Sequence, residues 1–350
     1  MKTPADRLKS AFRDLPFAGG GLPGVGGEIK AEPEHFQVEE MLPYEPCGDG
    51  EHLFVTVRRK QWNTADVAAA LGKCFGLKNV QIGWGGRKDK QAVTTQTFSL
   101  LLPLDLDLER IRVRLSQLPF EILGLSRHRN KIKTGHVAAN RFRILLSKVD
   151  AQAFPRAAAI AEKLRRIGVP NFYGVQRFGQ GMANIDRAMA MVDQGRPARG
   201  KKDDLMVSAL QGALFNIWLV QRLARGEGRT VLPGDVAQKA DSGGLFVVED
   251  VAEAQQRFNA GAILYTGPIF GPKMKAPAGR AAVHEQQLLA SYDLDLATFK
   301  RLRAPGARRK ALLRLDDLEI IPDAQGLWFA FTLPPGAYAT VVMREFLRVE

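Results

Sequence analysis

The chain holds 350 residues with 45% hydrophobic content, enough to bury one full core and long enough for two. Its 50 Lys and Arg against 37 Asp and Glu leave a formal charge of +13, which favours a polyanionic partner, although a basic enzyme of another kind could carry the same sum. Cys47 and Cys74 match neither a disulfide framework nor a zinc spacing, the opening MKTPADRLKSAFRDLPFAGGG lacks the apolar core of a secretion signal, and no run reaches membrane-spanning length, so a globular protein of the reducing cytoplasm is expected.

From the start of the chain, Gly19 to Gly27 reads as a flexible segment feeding the alternating runs HFQVEE and HLFVTVRR, which predict strands. Thr64 is placed to cap a helix through Leu71, QTFSLLL returns to strand pattern, and Lys131 to Leu146 alternates again as KIKTGHVAANRFRILL. Helical spacing begins near Ala153 in AFPRAAAIAEKLRRIG and continues in an Ala-rich helix around Ile185 to Val192. The apolar run Leu205 to Val220, interrupted by Ser208, Gln211, Gly212 and Asn216, predicts a buried helix. After the Gly and Pro cluster around Gly267 to Gly279 comes one more helix, then ALLRLDDLEIIPDAQGLWFAFTL with strand pattern and ATVVMREFLRV with helical spacing. A strand-rich domain interrupted by a helical insertion and completed by the C-terminal strands accounts for this alternation, because a lone terminal hairpin would not be stable. Three modules in succession is the competing arrangement.

Two nucleotide motifs fail on context. Gly19, Gly21 and Gly24 have dinucleotide-loop spacing, but no strand precedes them and Pro23 lies inside, so a mobile loop is expected. Gly195, Gly200 and Lys201 approach a P-loop, yet Lys202 stands where Ser or Thr is required, which leaves an exposed basic turn. The five histidines, His35, His52, His128, His136 and His284, show no metal-ligand spacing and are expected as surface or RNA-facing imidazoles.

Three clusters carry chemistry. In Gly83 to Phe98, GWGGRKDKQAVTTQTF, a single carboxylate, Asp89, sits among Arg87, Lys88 and Lys90, whose charges favour its ionised form. An ionised carboxylate on a Gly-rich loop suits nucleophilic or general-base work on an anionic substrate, while taken locally it reads first as a solvated turn. Arg127 to Arg143, RHRNKIKTGHVAANRFR, carries six Arg or Lys and two His along apparently alternating strands, a natural phosphate surface. Within it Asn140 could hydrogen-bond a flipped base and Phe142 could stack on one, although spacing alone makes Phe142 a core residue first. Pro170 to Gly179, PNFYGVQRFG, combines three aromatics with Arg177, which fits RNA stacking as well as a packing loop.

GWGGRKDKQAVTTQ resembles the catalytic-loop signature of TruD pseudouridine synthases, of the form G-Y/F-A-G-x-K-D-x-x-A-x-T-x-Q. Upstream IKAEPEHFQVEE, and downstream GHVAANRF, PNFYGVQRFG, SALQGALFN, GPIFGPKM and LPPGAYATVVMRE, resemble further segments of that family in its order, across nearly the entire chain. Trp84 and Gly85 depart from the usual Tyr or Phe and then Ala, and neither departure removes a group the reaction requires.

The resemblance implies an α+β fold. A pseudouridine-synthase catalytic domain with a mixed, mainly antiparallel sheet would cover 1–158 and 308–350, interrupted by an inserted helix-rich TRUD domain over 159–307 that forms the other wall of an RNA cleft. It implies an isomerase, an intramolecular transferase, that converts uridine to pseudouridine in tRNA at position 13. Such an enzyme would work as a monomer with no metal, organic cofactor or nucleotide. Asp89 would be the catalytic aspartate, as nucleophile toward the ribose or as the base that takes a sugar proton, and Lys30 the basic partner that keeps it ionised. Phe36, Asn140 and Tyr338 would line the uridine site, with Phe142 packed against the target base. Arg127, Arg129, Lys131, Lys133 and Arg177 are expected at RNA phosphates. The alternative is a non-catalytic tRNA-binding or RNA-folding protein in which Asp89 is only a turn residue.

Overall fold

The computed structural model describes residues 3–12 and 15–348. By its contacts the chain divides into two compact units, one of Met1–Gly21, Lys163–Arg314 and Thr340–Glu345, the other of Leu22–Glu162, Leu315–Ala339 and Phe346–Glu350.

The second unit is built on a nine-stranded sheet. Its main order runs Glu319–Asp323, Gly326–Leu333, Ala139–Ser147, Phe36–Met41, Val93–Leu101, His52–Lys60, Glu121–His128. Short strands Glu28–Ile29 and Ile82–Trp84 pair with Ala139–Ser147 and Val93–Leu101. Every pairing is antiparallel except that of Phe36–Met41 with Val93–Leu101, so the fold is mixed α+β with a mainly antiparallel sheet. The strands form where β-branched and aromatic residues alternate with polar ones, as in HLFVTVRRK and VTTQTFSLL, which suits a pleated surface with one face buried.

That buried face is covered by helices. Leu53, Val55, Val57, Phe98 and Leu100 pack with Val67, Ala68 and Leu71 of the helix Thr64–Phe75 and with Ile111 and Leu115 of the helix Leu108–Leu115. The side chain of Asn63, not Thr64, caps the first of these, accepting from the Asp66 amide. The helix ends at Gly76, whose φ of 67° turns the chain in the left-handed region so that the Leu77 amide can return to the Gly72 carbonyl at 2.8 Å. Freed from capping, the Thr64 hydroxyl is used at the site described below.

The strand pattern expected from Lys131 to Leu146 holds only from Ala139. Residues between His128 and Ala139 form a loop, pinned where the Ile132 amide donates to Ser99 Oγ at 3.0 Å and the Gly135 amide to the Gly85 carbonyl at 2.8 Å. KIKTGHV alternates by composition, but its Ile132 and Gly135 amides bond to a strand side chain, Ser99, and to the Gly85 carbonyl and not to a ladder.

The first unit is not purely helical. Around the 24-residue helix Lys201–Ala224, buried along most of its length, it carries a four-stranded antiparallel sheet ordered Leu245–Val247, Val236–Lys239, Ile263–Ile269, Ala307–Lys310. A buried Arg222–Asp235 pair at 2.7 Å, with the Arg222 guanidinium 3.8 Å from the Tyr265 ring centre, ties that helix to the sheet. Residues 195–200 form a turn and loop, exposed at both ends, that runs straight into the long helix, with Gly200 as its N-cap and Lys201 its first residue. Among the described residues no helix is long and apolar enough to cross a membrane.

Candidate active site

Period-two alternation in the central strands puts apolar side chains inward, and at Glu40, Arg59, Thr94 and Gln96 it puts polar ones there too. Phe36, Val38 and Glu40 share the buried face of Phe36–Met41. Gln96 and Phe98 share it on Val93–Leu101, and Val55, Val57 and Arg59 on His52–Lys60. Buried polar groups are costly unless they bond to one another, and Glu40, Gln96 and Arg59 are linked in this way, while Arg59 Nη1 and Thr94 Oγ1 have no partner among the described residues. Gln96 Nε2 donates to both oxygens of Glu40, at 3.2 and 3.1 Å, and to the Gly86 carbonyl at 2.7 Å. Arg59 and the Thr64 hydroxyl donate to Gln96 Oε1 at 3.0 and 3.2 Å. Burial pulls the Arg59 guanidinium down to about 10, with Glu40 opposing.

The catalytic-loop candidate, Gly83 to Gln91, is seated on this network. Lys88 points inward to Glu40, with Nζ 2.7 Å from Oε2 and the two side chains 9% and 0% exposed. The same ammonium donates to Asn140 Oδ1, while the Lys88 amide donates to Thr64 Oγ1 at 2.9 Å. Gly85 is required by close approach: a Cβ there would lie 2.7 Å from the His136 carbonyl oxygen and 3.0 Å from Glu40 Oε1.

Asp89, next in sequence, faces the other way. Its side chain is 48% exposed and pairs with Lys30, Nζ to Oδ2 at 3.1 Å, while the Gln91 amide donates to Oδ1 at 3.0 Å. Partial burial works against ionisation, but the Gln91 amide and the Lys30 ammonium outweigh it and hold the carboxyl below its ordinary value. Lys30 itself has a φ of 61°, left-handed for a residue with a Cβ, and its ammonium lies 4.3 Å from the centre of the Phe36 ring. A cavity of about 660 Å³, lined by Lys30, Pro33, Gln61, Lys90 and Gln91, opens beside the pair.

The structure thus brings Lys30, Phe36, Asp89, Asn140 and Phe142 into one region of one unit. Asn140 lies cross-strand from Glu40 and Phe142 from Val38, so both share the inward face with Phe36. Phe142 is a core ring, edge-on to Phe36 at 6.0 Å and stacked with Phe331 at 5.8 Å. Tyr338 is half-buried in the same unit, between the strand Gly326–Leu333 and the helix Ala339–Leu347.

The expected phosphate contacts are not gathered in this way. Arg127 donates to the carbonyls of Leu102 and Pro103, Arg129 pairs with Asp49 at 2.8 Å, and Lys131 donates to the Val80 carbonyl. Lys133 is exposed. Arg177 lies in the other unit and donates to the Ser208 hydroxyl. Nor are His128 and His136 simple surface imidazoles: the Tyr44 ring stacks on His128 at 5.1 Å, and its hydroxyl lies 3.0 Å from His136 Nδ1. Glu40, Arg59, Thr64, Lys88 and Gln96 went unpredicted as site residues, although inward polar positions in QVEE, VTVRR and TTQTF were the available signal.

Comparisons with known proteins agree with this architecture. The family model "tRNA pseudouridine synthase D (TruD)" matches residues 20–190 and 200–346. The chain is similar to a tRNA pseudouridine synthase D of Thermus thermophilus, 39% identical over 343 residues that cover 96% of this chain and 92% of the relative. It is also similar to one of Anaeromyxobacter dehalogenans, 40% identical over 347 residues covering 96% and 97%. A crystal structure of a putative tRNA pseudouridine synthase D (TruD) from Methanosarcina mazei shares the fold, with a TM-score of 0.75 at 22% identity, covering 100% of this chain and 99% of that one. With a family model over most of its length and full-length relatives well above 30% identity, the chain belongs to the TruD family of tRNA pseudouridine synthases.

Proposed function

We propose that this protein isomerises uridine to pseudouridine in tRNA, at position 13, with Asp89 as nucleophile. The observation that carries the reading is the Lys30–Asp89 pair at 3.1 Å, set on a loop whose other side is anchored beside Asn140 and Phe142. A Asp89 carboxylate oxygen attacks C1′ of the target ribose and displaces N1 of the uracil. The detached base turns, and its C5 attacks C1′, which returns the carboxylate. A base then removes the proton from C5, and N1 takes one up, so the product is an isomer of the substrate.

Lys30 keeps the nucleophile ionised until the ribose arrives. Phe36, Phe142, Asn140 and Tyr338 line the base site, where water must be kept out so that uracil is not lost to hydrolysis. Extruding the nucleotide from folded RNA costs roughly a few kcal/mol, which stacking and phosphate contacts offset. Lys133, Arg129 and Lys131 contact phosphates by adding to or exchanging their present partners. Arg127 and Arg177 do so with the guanidinium donors not used within the chain, each guanidinium having five.

In this reading the unit containing Asp89 is the pseudouridine-synthase catalytic domain, and the Lys163–Arg314 segment belongs to the inserted TRUD domain. The reaction is redox-neutral and consumes no nucleotide, and because Lys30, Phe36, Asp89 and Asn140 all come from one chain, we propose a monomer, acting in the cytoplasm. Tritium release from tRNA labelled at uridine C5 tests the assignment. Asp89→Asn is expected to abolish release while leaving tRNA affinity nearly intact, and unchanged release would defeat it. Mapping pseudouridine in RNA from cells with and without the protein tests position 13 directly.

A further inference from the structure

We propose that Lys88 is a positioning residue that fixes the Asn140 side-chain amide with its NH2 turned toward the target base, so that uracil is read through one of its carbonyl oxygens. This rests on the isomerase reading above and deepens it. The orientation of an asparagine amide is ambiguous wherever either end could bond to its surroundings. Here it is not. Lys88 Nζ lies 2.5 Å from the facing Asn140 atom, and an ammonium has three donors and no acceptor, so only Oδ1 can face it. Turning the amide over would set NH2 against NH3+.

The lysine cannot move aside to relieve such a clash. Its side chain is almost fully buried, its ammonium is held by Glu40 at 2.7 Å, and its own amide is held by the Thr64 hydroxyl at 2.9 Å. Glu40 is fixed by the same logic one step earlier. The Arg59 guanidinium, which also only donates, takes Gln96 Oε1, and this leaves Gln96 Nε2 to face the carboxylate. The polarity therefore propagates in one direction, from Arg59 through Gln96 to Glu40, and from Lys88 to Asn140.

The far end of this chain is open. Among the described residues Asn140 Nδ2 has no hydrogen-bond partner, and Asn140 shares its strand face with Phe142, two residues on. A donor held there matches a uracil carbonyl oxygen, and it matches better once N1 has left C1′ and negative charge spreads onto O2 and O4. Asn140 thus touches substrate, and Lys88 acts through it.

The test uses the full-length protein and a tRNA fragment carrying uridine, 2-thiouridine or 4-thiouridine at the target, since sulfur accepts hydrogen bonds weakly. Wild type is expected to lose about tenfold in kcat/KM on one of the two thio substrates, the loss of one hydrogen bond, which identifies O2 or O4 as the contact. Lys88→Met is expected to level that preference to within about twofold, and Lys88→Arg, still donor-only, to retain it. In an Asn140→Ala background, which has no preference, replacing Lys88 is expected to change it no further. The assignment is overturned if the Lys88→Met protein, folded by circular dichroism, keeps the full preference. Should that variant not fold, a preference surviving in Asn140→Ala alone overturns it. Absence of tritium release by wild type on the uridine substrate would remove the isomerase reading and this assignment together, whereas release with unaltered preferences removes only the assignment.

Discussion

Adjacent residues of one loop make two ion pairs of opposite character. Lys88 and Glu40 are sealed at 9% and 0% exposure, with Asn140 bonded to the ammonium and Gln96 to the carboxylate. Lys30 and Asp89 meet at 27% and 48% exposure, with solvent on one side and a cavity beside them. A sealed pair carries a desolvation cost and gives back a single geometry, whereas an open one adds little stability and separates easily. The loop therefore has a fixed half that sets where Asp89 stands and a loose half that can exchange partners when a ribose approaches.

The largest effect that would break this contrast is on stability. Glu40→Ala leaves the Lys88 ammonium buried without its partner and is expected to cost about 3–5 kcal/mol in urea unfolding; a loss as small as that of a surface pair would mean that Lys88 is not sealed. Next is Lys30→Met, for which kcat/KM at neutral pH is expected to fall roughly five- to tenfold while the unfolding midpoint hardly moves.

The pH profile sharpens the same point. Asp89 has a folded pKa below its ordinary value of 3.8. The stability it contributes is accordingly present above 3.8 and lost as pH falls through the lower folded value, and the acid limb of kcat/KM in wild type is expected below 3.8, which a pH-rate profile checks. Removing Lys30 leaves burial less opposed, so that limb is expected to move upward. A limb that stays in place would assign it to another group. The smallest effect is expected from Arg129→Ala, which breaks the exposed pair with Asp49 and should leave the unfolding midpoint unchanged within measurement, with weakened tRNA binding at low salt as its only trace.

Much of the fold was legible because the strands here obey a period of two against one covered face. HFQVEE and HLFVTVRR gave strands where they occur, and Leu205 to Val220 gave a buried helix. The failures have local physical causes. KIKTGHV alternates without belonging to a ladder because its amides bond to Ser99 and to the Gly85 carbonyl, partners that composition does not reveal. Asn63 and Thr64 are both capping residues, and spacing could not say which would cap and which would turn inward.

The site was half legible. Asp89 stood out as a lone acid among cations, but RKDK also made Lys88 look like its solvated neighbours. What buries Lys88 is a glutamate on another strand and an asparagine 52 residues further on, and no window along the chain contains both. The inward place of Glu40 on QVEE was the one local hint that a cation had to come to meet it.

Lys30 holds its φ of 61° at an energy of about 1–2 kcal/mol that glycine would not incur. Position 30 is consequently a place where heat resistance and turnover pull apart. Lys30→Gly relaxes the main chain and deletes the ammonium in one step, so a library sorted for thermal endurance alone would drift toward well-folded, sluggish molecules there.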